Sequence, residues 1–203
     1  MMRLRTCIAA CTLAFGAATA QAQQSPAEII GIPVGADSTL ADWSQIGSYL
    51  VHVAETSAWA ELDTIGTTTL GKPFLMMTLS SPGNLARSPE LKANQRLLAD
   101  PRVLDESSER RLVAAQPAVV LINNNIHSTE IASSQFSIML AHRLVSDPEW
   151  RALLENVVVL LIPSANPDGL DTVVSWYRTY KGTAYEGGPL PWLYHPYAGH
   201  DNN

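Results

Sequence analysis

A histidine and a glutamate three residues apart, His127 and Glu130, follow a run of pure hydrophobics in the stretch VVLINNNIHSTEIASSQF, Val119 to Phe136. A three-residue spacing is close to one helical turn, so the two side chains can converge on one point. Zinc accepts imidazole nitrogen and carboxylate oxygen, and catalytic zinc sites commonly use three protein ligands and leave one position open. The pair alone also reads as a surface histidine beside a helix-capping glutamate. A second polar cluster, Pro163-Ser164-Ala165-Asn166-Pro167-Asp168-Gly169, follows another apolar run, and Asn-Pro-Asp-Gly is by itself a strong turn sequence. A third, Gly199-His200-Asp201-Asn202-Asn203, stands at the end of the sequence.

The elements around these clusters follow from periodicity. Val119 to Ile122 reads as a short buried strand, broken by Asn123, Asn124 and Asn125. From Thr129 onward Ile131, Phe136, Met139, Leu140 and Leu144 recur at helical spacing. Asp147-Pro148 starts a short helix, and Val157 to Ile162 is a second apolar strand. This strand–helix–strand order is the βαβ signature, and such runs point to parallel strands covered on both faces. In open α/β sheets, sites tend to lie at the C-terminal ends of the strands. Upstream, Asp42 is placed to cap a helix with Trp43, Ile46, Leu50 and Val53 on one stripe. LDTIGTTTLGKPFLMMTLS reads as a hairpin around Gly71 and Lys72, and SSPGN as a turn. Ser88-Pro89-Glu90 opens another helix, with proline at its favoured first position. Residues 101 to 116 are only ambiguously helical, and residues 164 to 203 show no long periodic segment.

Composition narrows the chemistry. Residues 3 to 22 begin with two arginines, continue as an alanine-rich apolar run and close on small residues, the pattern of a secretory signal peptide. The expected organisation is residues 1–22 as signal peptide, 23–41 as a lead-in segment and 42–203 as the domain, in a secreted or periplasmic protein. Cys7 and Cys11, the only cysteines of the 203 residues, leave with the signal, so cysteine nucleophiles and zinc–cysteine clusters are excluded. Arg3 and Arg5 leave too, which takes the formal charge from −6 to −8. With no basic patch, nucleic acid is not an expected partner. Past the signal, no segment is long and apolar enough to span a bilayer, and no G-x-S-x-G elbow suggests a serine hydrolase.

Taken together and in this order, NNNIHSTE, IPSANPDG and GHDNN resemble the zinc carboxypeptidase family, the carboxypeptidase A-like metallopeptidases. The resemblance covers roughly residues 43 to 203. It implies an α/β fold, a mixed, mostly parallel sheet with helices on both faces, cut short at its C-terminal side. It gives His127 and Glu130 the roles of the first two zinc ligands, and Arg178 in SWYRTYKG that of polarising the scissile carbonyl. Asn166, Pro167, Asp168 and Gly169 match the family pattern and shape the substrate cleft, and Asn203 helps hold the substrate's terminal carboxylate. The family's third zinc ligand, its closing tyrosine and its general-base glutamate fall beyond Asn203, with His195 and His200 as alternative sources of the third ligand. Two departures stand out: Ser128 where the family has a small glycine, and Lys72 where it has arginine. The implied activity is zinc-dependent removal of C-terminal residues from a peptide with a free terminal carboxylate, by a protein monomeric when complete. The other reading is an inactive exported binding module with the same fold.

Overall fold

The computed structural model describes residues 23–100 and 102–190. The expected signal peptide, His195, His200 and Asn203 lie outside them. The order is α1 (Pro26–Ile30), α2 (Trp43–Thr56), β1 (Ala60–Thr67), β2 (Pro73–Leu79), α3 (Pro82–Ala86), α4 (Ser88–Ala99), α5 (Glu106–Ala115), β3 (Ala118–Asn123), α6 (Ile131–Ser146), α7 (Pro148–Leu153), β4 (Val157–Ile162) and α8 (Pro167–Tyr180).

Local chemistry accounts for the starts of the helices. The Asp42 carboxylate accepts from the Gln45 amide while Gln45 reaches back to the Asp42 amide, a reciprocal cap on α2. The Asp147 carboxylate accepts from the Glu149 amide at the start of α7. SSPGN, expected as a turn, is the capped start of the one-turn helix α3, with the Ser81 side chain accepting from the Asn84 amide. Residues 106–115 resolve into α5, capped by Asp105, whose carboxyl is held far below its usual range by hydrogen bonds from Ser107 and Ser108.

The four strands form one sheet in the order β1-β2-β4-β3. β1 and β2 form the expected antiparallel hairpin, β2 pairs antiparallel with β4, and only β3 and β4 run parallel. The sheet is therefore mixed and mostly antiparallel, which corrects the mostly parallel sheet expected from the apolar runs. A continuous apolar run carries no information on strand direction, nor does it guarantee burial: Val119, Val120 and Leu121 of β3, expected in a buried strand, are exposed at the sheet's border. The antiparallel β2 (PFLMMTL) is nearly as apolar as the parallel β4 (VVVLLI).

A second correction concerns the tail. Residues 167–180 form a 14-residue helix, α8, where no long periodic segment was expected. Its apolar residues Leu170, Val173 and Val174 keep helical spacing and are buried. The four turn-type residues ahead of them mask the pattern.

The core joins Leu75, Met77 and Leu79 of β2 and Val159 and Leu161 of β4 to α2, α6 and α8 through Ile46, Leu50, Ile138, Leu144, Leu170 and Val174. At the sheet's border β3 leaves Leu121 59% exposed. Among the described residues, no helix is long and apolar enough to cross a membrane.

Candidate metal centre

The parallel pairing of β3 and β4 continues one step past both strands. The Asn124 amide donates to the Ile162 carbonyl (3.1 Å), and the Ala165 amide to the Asn124 carbonyl (2.7 Å). The chain then turns through Asn125, buried and left-handed at φ 53°. Asparagine is among the few residues that adopt this conformation readily. The Asn125 side chain organises the turn, donating to the His127 carbonyl (2.8 Å) and accepting from the Ser164 hydroxyl (2.7 Å). Its backbone amide donates to the Ser133 hydroxyl, which donates in turn to the Glu130 carbonyl.

This frame brings His127 Nδ1 and Glu130 Oε1 to 3.1 Å, with side-chain exposures of 21% and 50%. Two ligand atoms on a tetrahedral zinc stand about 3.3–3.5 Å apart, given metal–ligand bonds of about 2.0–2.2 Å. The pair thus fits two corners of such a site with a shift of a few tenths of an ångström. Glu130 sits at the N-cap position of α6, but its side chain makes no capping hydrogen bond. Among the described residues, no group of three or more His, Cys, Asp or Glu side chains is arranged to hold a metal ion.

The other anticipated residues divide. Asn166 caps α8, its side chain accepting from the Gly169 amide (2.9 Å), and its Nδ2 lies 3.4 Å from the Ile126 carbonyl. It thus joins the start of α8 to the His127 loop. Asp168 faces the hairpin, accepting from Thr68 Oγ1 (2.9 Å) and the Leu70 amide (3.1 Å). One turn on, Asp171 accepts from Lys72 Nζ and from the Trp43 amide, tying hairpin and α2 to the same helix. Arg178 lies at the far end of α8. Its guanidinium donates to Asp42, the Leu40 carbonyl and Gln45, each at 2.7 Å.

Two supporting residues, Asn125 and Ser164, have no site role in the sequence reading, whereas Gly169 belongs to the cluster expected to shape the cleft. Gly169 packs so closely on the His127 loop that a Cβ there would lie 2.7 Å from Ser128 Cβ. The sequence marks Asn125 only as a strand breaker, although a buried asparagine between a strand and a helix has few partners besides the turn's own backbone.

The zinc carboxypeptidase family profile matches residues 46–187, and the chain belongs to that family. Among solved structures, the carboxypeptidase A of Helicoverpa armigera is 17% identical, with 64% of this chain and 25% of that one covered and a TM-score of 0.46. A metallo-carboxypeptidase from Burkholderia cenocepacia is 21% identical, covering 63% and 27%, with a TM-score of 0.43. Bovine thrombin-activatable fibrinolysis inhibitor, solved with a tick carboxypeptidase inhibitor, is 16% identical, covering 68% and 34%, with a TM-score of 0.45. The chain thus spans a quarter to a third of the length of these proteins. No curated protein matches it.

Proposed function

We propose that His127 and Glu130 are two of the protein ligands of a zinc ion in an exported peptidase that removes C-terminal residues, and that residues 42–203 are the N-terminal part of its catalytic domain. The observation that carries this reading is the 3.1 Å approach of Nδ1 and Oε1 at the end of β3. What zinc supplies when bound to such a pair is Lewis acidity toward a peptide carbonyl. The chain's own contribution is placement. Asn125 fixes the His127 carbonyl and hence the imidazole, and Glu130 presents its carboxylate from the N-cap position of α6. Asn166 and Asp168 serve the substrate cleft by locking the metal loop and hairpin to α8. Arg178 is the family's candidate for polarising the scissile carbonyl, and in this structure its guanidinium is engaged by Asp42, the Leu40 carbonyl and Gln45. Asn203 takes the substrate's terminal carboxylate, and the complete protein is a monomer.

For the 203 residues taken alone, a second reading has the better support: an exported binding module of the same fold without turnover. Its support is the family match and the fold, which the chain has whether or not it turns over substrate. Calorimetric titration of zinc into the 203-residue chain, with His127→Ala as control, and release of the C-terminal residue from a blocked dipeptide test both. Weak one-to-one zinc binding lost in His127→Ala, without hydrolysis, is the expected result. Zinc binding unaffected by His127→Ala would refute the ligand assignment, and hydrolysis by the short chain would refute the second reading. N-terminal sequencing of exported protein should begin at Gln21 or Gln23; an intact Met1 would refute the signal peptide.

A further inference from the structure

The core fills one face of the sheet. On the opposite face Met76 and Thr78 of β2, Val158 and Leu160 of β4 and Val119 of β3 line a cavity of about 350 Å³ beneath α4. The helix borders it with one stripe, Ser88, Leu91, Lys92, Gln95 and Arg96, the spacing of a single helical face. Leu91 is the one buried residue of α4, so the helix leans on its neighbours through a single leucine. The walls are largely apolar, and the charged groups among the lining residues are two cations one turn apart on exposed residues. Arg87, just ahead of α4, has a carboxylate partner in Glu90, whereas Lys92 and Arg96 have none among the described residues. Small-molecule sites have this make-up, apolar walls with a few convergent polar groups.

We propose that this cavity binds a medium-chain carboxylate, with the alkyl chain between α4 and the sheet and the head group against Lys92 and Arg96. Size admits an alkyl chain, since the cavity of about 350 Å³ is far larger than the space one water needs. A ten-carbon acid is the probe of medium length chosen for it. The cations set the head group, since two donors one turn apart can each take one carboxylate oxygen in a charge-assisted bond. Long basic side chains also lie along apolar walls with their charge at the mouth, which suits a ligand whose polar end stays near water. The site uses the sheet face beneath α4 and does not rest on the zinc reading.

The test uses the full 203-residue chain and decanoate, with decanol as the uncharged control. Calorimetry should find one decanoate per chain. The methyl resonances of Leu85, Leu91, Val119, Val158 and Leu160 should shift together during the titration. The double substitution Lys92→Ala, Arg96→Ala changes only exposed positions, and near-ultraviolet circular dichroism checks that the fold survives. It should weaken decanoate tenfold or more, the scale of charge-assisted hydrogen bonds, and change decanol affinity less than twofold. Equal weakening of both ligands, methyl shifts elsewhere or absence of binding would each overturn the proposal. So would a dimer in sedimentation that protects these methyls and that decanoate does not dissociate, because the surface would then be a contact between copies.

Discussion

Gly169→Ala sets helix propensity against space. Gly169 lies in the first turn of α8, where alanine is the better helix former by about 0.5–1 kcal/mol. A Cβ there would lie 2.5 Å from Asn166 Nδ2, 2.8 Å from Asn166 Cγ and 2.7 Å from Ser128 Cβ. Neither neighbour gives way freely, since Asn166 is capping the helix and Ser128 is buried in the loop that carries His127. Overpacking of this kind costs about 1–3 kcal/mol, and a displaced cap about 1 kcal/mol more. The net expectation is a loss of about 1–3 kcal/mol. With a urea m-value of about 2 kcal/mol/M, the unfolding midpoint should fall by about 0.5–1.5 M. Gly47→Ala in α2 is the control, because its Cβ would meet Leu75 Cδ1 at an ordinary 3.5 Å. It should stabilise by about 0.5–1 kcal/mol. Ser128→Gly should recover part of the Gly169→Ala loss, since it removes one of the two obstructing side chains. A Gly169→Ala protein as stable as the parent would refute the close-approach argument.

Other perturbations probe the same framework. Asp168→Ala removes the acceptor for Thr68 and Leu70 and should cost about 1–3 kcal/mol; unchanged hydrogen exchange at the Leu70 amide would contradict its anchoring role. Arg178→Ala should cost about 1–2 kcal/mol, a modest figure because the side chain is 45% exposed. Arg178→Lys should restore little in denaturation, because an ammonium cannot reproduce the fork to three acceptors. Burial holds the His142 pKa below its ordinary 6.5, opposed only weakly by Glu28, and its Nδ1 lies 2.7 Å from the Tyr49 hydroxyl. The unfolded chain binds that proton at higher pH, so this contribution is full above pH 6.5 and is lost as pH falls toward the folded value. Urea midpoints at pH 7.5 and 5.5 should differ less in His142→Gln than in the parent; equal differences would remove His142 as the cause.

The legible parts of the fold were those fixed by neighbours in sequence. Asp42, Ser88-Pro89 and Asp147-Pro148 mark helix starts because caps and first-turn prolines act over three or four residues. Gly71, at φ 85°, marks the hairpin connection because it takes a left-handed backbone at no steric cost. The sheet's direction was not legible, because it depends on β2 finding β4 and no local signal encodes that meeting. Asn-Pro-Asp-Gly was ambiguous for a different reason. Asparagine before proline serves a turn and a helix cap equally well, and the glycine that reads as a turn residue is there to admit Ser128 and Asn166. The spacing of His127 and Glu130 anticipates their approach, but the partner of Asp168 lies 100 residues upstream at Thr68. Such a contact cannot be inferred from one end.

The sheet also implies an order of assembly. β1 and β2 share seven residue pairs and β3 and β4 share six, but β2 and β4 meet over only three, Met77–Leu161, Thr78–Leu160 and Leu79–Val159. The first two pairings close over a short turn and a single crossover. The third joins strands about eighty residues apart, and its loop-closure entropy must be overcome before the contact stabilises anything. Within the sheet, two locally nucleated pairings are thus joined along a narrow seam, across which α2, α6 and α8 share the core. In pulse-labelled refolding, amides within the hairpin and the crossover should gain protection first, with the Met77–Leu79 seam closing last. Simultaneous protection of all three pairings would mean that the first two do not form independently.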